Sequence, residues 1–165
     1  MSTILAMRKR FETLQKTQEE IIYGVMKDSE TDLNDLNLEQ LYSGKTNTGE
    51  DIHPSYLEDP YFEGDLQRAQ AYSDWKDKIT PSPFRNPGTP NIFINGFYHS
   101  RRMTLVTPGG EIKHTDSASF GKEIQQKYKN IDGLGGRFKQ VFIKEYVGPV
   151  LYERIGEVLK LKVGN

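Results

Sequence analysis

The chain has 165 residues, 27% of them charged and 35% in the hydrophobic set, with a net charge of −1. This length is one ordinary domain or a small domain with extensions, and its apolar content supports only a modest core, so part of its aromatic surface needs a partner. No cysteine is present, which excludes disulfide frameworks and thiolate metal sites, and no apolar run approaches the roughly 18 residues of a membrane span.

In MSTILAMRKRF the charges follow a short apolar patch and no small-residue cleavage site appears, so this stretch does not read as a signal peptide. Residues 3 to about 42 read as helix. Ile4, Met7, Phe11, Leu14, Ile21, Val25, Leu33, Leu36 and Leu41 recur near three-and-four spacing. Gln18 interrupts the stripe, and Gly24 weakens the middle by about 1 kcal/mol relative to Ala. Ser29 is placed to cap a second helix, so the stretch is one long helix or two in sequence, with Gly44 as its C-terminal stop. A helix of this length exceeds one small core and suggests a projecting or inter-subunit element, with Phe11 on its apolar stripe.

Between Tyr42 and Tyr98 lie six of the eight prolines and ten of the eighteen aromatic residues, with no sustained period of 2 or 3.6. Low-complexity linkers are poor in aromatics, so residues 45–91 read as an ordered arm pinned to a surface by Tyr61, Phe62, Tyr72, Trp75 and Phe84. Its candidate interface residues are Tyr61, Phe62, Trp75 and Phe84, and it is expected to order on assembly. Gln67–Lys78 is its one helical candidate, with Ala71, Tyr72 and Trp75 on one side. Pro81, Pro83, Pro87 and Pro90 forbid regular structure after it.

Residues 92–165 form the third stretch. Phe97–Thr107 and Glu111–Thr115 read as a hairpin about Pro108-Gly109-Gly110, with an extra edge strand near Ile92–Ile94. Ser117–Tyr128 reads as helix with Ser119 as its cap. A turn over Ile131–Gly136 precedes a last helix from Phe138 to Lys160, disturbed at Pro149. The order of helix, arm, hairpin and helices gives an α+β fold, a long N-terminal helix and an irregular arm with a small antiparallel sheet packed on C-terminal helices. The three stretches, 1–44, 45–91 and 92–165, together make one structural domain.

Four patterns test for chemistry. Gly44-Lys45-Thr46 ends like a phosphate loop, but Glu39 stands where the first glycine belongs and no strand precedes it. Gly133-Leu134-Gly135-Gly136 fails the dinucleotide pattern at Phe138 and reads as a turn. Glu58-Asp59 and Asp74/Asp77 read as solvated acidic faces. His99 and His114, with Asp116 near, can face each other across the expected hairpin; they read as a partly buried, hydrogen-bonded pair or a solvated face ahead of a two-ligand metal site.

Charge is uneven. Residues 1–100 hold ten Lys/Arg against sixteen Asp/Glu; residues 101–165 hold twelve against seven. Such a split can steer head-to-tail contacts between copies, and halves of a chain also differ by chance. Arg101, Arg102, Lys122, Lys127 and Lys139 form a candidate basic surface, with Arg101 and Arg102 on opposite faces of a strand.

Leu41-Tyr42-Ser43-Gly44-Lys45, Gly49-Glu50-Asp51-Ile52 and Gly96-Phe97-Tyr98-His99-Ser100 resemble segments of phage-associated proteins from Bacteroidetes genomes. The element order is similar to the tail-completion, or neck, family of tailed bacteriophages. In that family a long first helix leads to a Thr-Gly-x-Leu-x-x-Ser-type strand opening, a hairpin and closing helices. Asn95-Gly96-Phe97-Tyr98-His99-Ser100 stands at that opening with Asn for Thr, and Ile131-Asp132-Gly133-Leu134 stands where the last helix begins. The arm is longer than the family pattern. The resemblance implies a non-enzymatic ring subunit of the head–tail connector, without cofactor or membrane contact. Its implied partners are copies of itself, portal-side and tail-side virion proteins, and channel DNA without sequence specificity. Its implied location is the virion, assembled in the bacterial host cytoplasm. Two other readings stand beside it: a nucleic-acid-binding accessory protein using the basic C-terminal part, and a small metal- or phosphate-dependent enzyme using His99, His114 and Asp116.

Overall fold

A computed structural model describes residues 3–93 and 96–160. The fold is α+β, with a long N-terminal helix and a two-stranded antiparallel sheet packed against C-terminal helices. Helix α1 runs Thr3–Asp28 and α2 runs Glu30–Tyr42. The break falls at Ser29, but Ser29 does not cap α2. Its hydroxyl turns back and donates to the Val25 carbonyl at 2.9 Å, as serine does inside a helix. Backbone bonds Ser29 N to Val25 O and Leu33 N to Ser29 O carry the ladder through the break.

Gly44 ends α2 as its spacing implies. Lys45 N bonds Gln40 O and Gly44 N bonds Leu41 O, with Gly44 at φ +69°. A Cβ there would also meet Thr89 Cγ2 at 2.7 Å and Arg85 Cγ at 2.9 Å, so the arm's return needs this glycine twice over.

The arm packs against the rest of its own chain. Ile52, Tyr56, Phe62 and Ala69 are buried within it. Ile52 and Ile92 join Leu41, Tyr98, Ala118, Ile124, Tyr128 and Ile131 in one core cluster, so all three sequence stretches meet there. The arm contains a 3₁₀ turn, Pro60–Phe62, whose first amide bonds are capped by Asp59, and helix α3, Leu66–Ile79, capped by Asp65. Helix α3 packs inward by a different side from the one that carries Ala71 and Trp75. Ala69, Ser73 and Lys76 point inward, whereas Ala71 and Trp75 are exposed.

The hairpin is shorter than expected. Phe97–Arg101 coils into a short helix, α4, and strand β1 is Arg102–Val106. Strand β2 is Ile112–Asp116, with Thr104 opposite His114. The expected edge strand ends at Ile94, outside the described residues; Ile92 and Phe93 lie in no strand. Helix α5 covers only Gly121–Lys127, begun after Phe120 rather than capped by Ser119. Asp116 takes the turn's amide instead, accepting from Ala118 N at 2.6 Å.

The closing helix is α6, Gly136–Val141, a π-helical segment, Phe142–Val147, and α7, Gly148–Leu159. The wider turns sit immediately before Pro149. Proline has no N–H to continue an α-helical ladder, and a local π segment is one way a helix absorbs that loss. Val106, Phe138 and Phe142 pack with Leu33 and Leu36 in the second core cluster.

Candidate interaction surfaces

Helix α1 rests on the body along one narrow face. Val25 is its only buried residue among those described. Ala6, Arg10, Leu14 and Thr17 are half-buried along one narrow stripe against α7. Arg10 Nη1 donates to Leu159 O at 3.0 Å, and Arg154 pairs with Asp28 at 2.5 Å, so the two helices run antiparallel. At Gly24 the Arg154 guanidinium comes within 2.7 Å of where a Cβ would stand, a contact that the flexible arginine end can relieve. Beside this seam the outer face carries Ile4 (81% exposed), Met7 and Phe11 (54% exposed) at helical spacing, with Ile22 five turns on and Leu5 nearby. Contiguous apolar surface of this kind marks an interaction site more often than a scattered exposed leucine does.

The expected arm residues separate. Tyr61, Trp75 and Phe84 are exposed. Phe62 is not a surface residue: it is 4% exposed and packs against Tyr61 and Tyr72, with ring centroids 5.2 and 5.5 Å away. Phe84 lies beneath the Arg137 guanidinium, 3.5 Å from its ring centroid, which orders that ring from the far end of the chain.

The basic surface separates too. Arg101, Lys122, Lys127 and Lys139 are exposed, with Lys127 paired to Asp59 at 2.5 Å. Arg102 is a correction, its side chain fully buried. Its Nε donates to Asn37 Oδ1 (2.7 Å), Nη1 to Tyr98 OH (2.8 Å), and Nη2 to Asp132 Oδ1 (2.6 Å) and Ile131 O (3.2 Å). Asn37 and Gln40 donate in turn to Gly133 O, and Gln40 accepts from Gly135 N. This network fixes the 131–136 turn. Gly135 also lets the 46–50 turn approach, since a Cβ would sit 2.0 Å from Asn47 O. The glycine-rich turn is therefore a packing joint. Likewise Lys45 is held by Asp51 at 2.5 Å, beside a Lys45–Asp51 bridge, so the phosphate-loop-like segment is a closed turn.

His99 lies in α4 and is not the partner of His114 across the sheet. His114 Nδ1 is 2.8 Å from Thr104 Oγ1, which donates to Asn34 Oδ1. Burial, then the nearby Arg102 charge, hold both histidines down at about 4. His99 Nε2, His114 Nε2 and Asp116 Oδ2 are buried without partners, yet among the described residues no group of three or more His, Cys, Asp or Glu is placed to hold a metal. The acidic pair Glu58-Asp59 is structural: Glu58 accepts from Ser55 N and Oγ, and Asp59 from Tyr61 N. Among the described residues no helix is long and apolar enough to cross a membrane.

Compared with known proteins, the chain matches no family profile, no curated protein and no solved structure. Sequence reasoning missed Lys76, Arg85 and Arg102 as buried cations. A signal existed for Arg102: Asn37 and Gln40 sit among Leu33, Leu36 and Leu41 on the inward stripe of α2, and polar residues there require buried partners.

Proposed function

We propose that this protein is a structural subunit that assembles with copies of itself through the outer face of α1. The observation that carries the reading is the exposed row Ile4, Met7 and Phe11 on a helix whose first five turns bury no residue. The acidic excess over residues 1–100 and the basic excess over residues 101–165 favour another copy as the occupant, because unlike surfaces of successive copies attract. A contact between unlike faces is heterologous and closes into a ring when its rotation permits. The resemblance to phage neck proteins supplies the setting: a non-enzymatic ring subunit at the head–tail junction.

Phe11→Asp tests the assembly. The side chain is exposed in the single chain, so the substitution leaves thermal unfolding of the subunit within about 0.5 kcal/mol while removing the assembly peak in sedimentation velocity. Unchanged sedimentation overturns the role of α1. The virion setting is tested separately by looking for the protein in purified phage particles; its absence from them overturns the setting and leaves the assembly reading intact.

A further inference from the structure

A cavity of about 400 Å³ lies between the arm and α5, far from α1 in sequence. Tyr56, Tyr72 and Tyr128 wall it with Phe62 and Phe93. The rings are already set: Tyr56 and Tyr72 meet edge to face at 5.1 Å, and Phe62 tilts on Tyr72 at 5.5 Å. The volume falls in the range of small-molecule pockets, which are mostly apolar with a few placed polar groups.

One of those polar groups is out of balance. Lys76 also lines the cavity, is 2% exposed, and donates to the Phe93 carbonyl. The cations around it have carboxylates: Arg85 holds Asp77 at 2.8 Å and Lys127 holds Asp59 at 2.5 Å. Lys76 forms no ion pair among the described residues. A buried ammonium is costly unless an opposite charge accompanies it. Burial, followed by the Arg85 charge, pulls its titration down to about 8. The backbone beside it is strained: Ile92, a β-branched residue on the cavity wall, sits at φ +53°. Strain of this kind concentrates at ligand clamps.

We propose that this cavity is a binding site for a small aromatic monocarboxylate, its ring against the tyrosine and phenylalanine walls and its carboxylate on the Lys76 ammonium. The single uncompensated positive charge selects a monoanion. A phosphate dianion would bring a second charge with no cation left to meet it. The site is independent of the assembly face and stands whether or not the chain forms rings.

The probe pair is 3-phenylpropionate and the neutral 3-phenylpropanol. Trp75, the only tryptophan, lies 5.6 Å from Tyr72, so its emission reports occupancy. The expected result is that the carboxylate binds the wild-type protein at least about tenfold more tightly than the alcohol. Lys76→Met is expected to abolish that preference, the alcohol still binding. Methyl resonances of Ile92 and Ile124 should shift with the carboxylate in the wild-type protein, which decides the matter should Lys76→Met fail to fold. No saturable binding of 3-phenylpropionate, equal affinity for acid and alcohol, shifts confined to other parts of the chain, or a preference that survives in folded Lys76→Met would each overturn the proposal.

Discussion

Arg102 ties together α2, α4 and the 131–136 turn through one guanidinium, with Asn37, Tyr98 and Asp132 as partners. Removing a buried charge's partner costs about 3–5 kcal/mol, and here removing the charge instead strands two buried groups, Asn37 Oδ1 and the Tyr98 hydroxyl, while the half-exposed Asp132 turns to solvent. Arg102→Met is expected to lower stability in urea unfolding by about 3 kcal/mol or more, and Arg102→Lys to restore little, because an ammonium cannot reproduce the fork. A loss under about 1 kcal/mol would mean that the network is incidental. Burial, and after it the Arg102 charge, shape acid behaviour. His99 and His114 are held at about 4 in the folded chain, against an ordinary value of 6.5 when unfolded. The unfolded chain therefore takes up protons first as pH falls. Their contribution is full above about pH 6.5, declines down to about 4, and changes no further below, with a slope of at most about 1.4 kcal/mol per pH unit for each histidine. Chemical denaturation between pH 7 and 4 should show this decline, and His114→Gln should make it shallower. An identical slope in the variant would place the titration elsewhere.

At the scale of elements, the arm is the test of how the chain folds. Ile52 N bonds Gly44 O and Tyr56 N bonds Gly88 O, both at 2.9 Å, and both side chains are buried. These amides should be protected from hydrogen exchange in the isolated subunit; exchange at unfolded-chain rates would return the arm to an assembly-dependent state. The long first helix and the stop at Gly44 were legible because apolar spacing and a glycine after it act locally. The α+β order was legible for the same reason. Phe97–Arg101 was misread as strand because its aromatics favour strands, whereas the core demand on Tyr98 and the tie from Arg102 coil it. The inward face of α3 was not legible because Ala69 and Ser73 form no apolar stripe that would mark it. In the fold, small Ala69 and Ser73 allow close approach while Trp75 stays outside. Lys76 gave no signal at all, since nothing local tells a buried lysine from a solvated one.

For the whole molecule, the outer face of α1 and the uneven charge belong to one account. In the proposed assembly, apolar contact would hold copies together and the charge split would orient their approach. The split acts on association rate, which should fall as salt rises and the Debye length shrinks from about 10 Å at 0.1 M to about 3 Å at 1 M. Single exposed pairs are worth only about 0–1 kcal/mol, so the effect depends on repetition around an assembly. The native mass of the purified protein over a range of concentrations tests the central claim most directly. The account predicts one discrete multiple of the 18.9 kDa subunit, as a closed ring gives. A mass of 18.9 kDa at every concentration would contradict it.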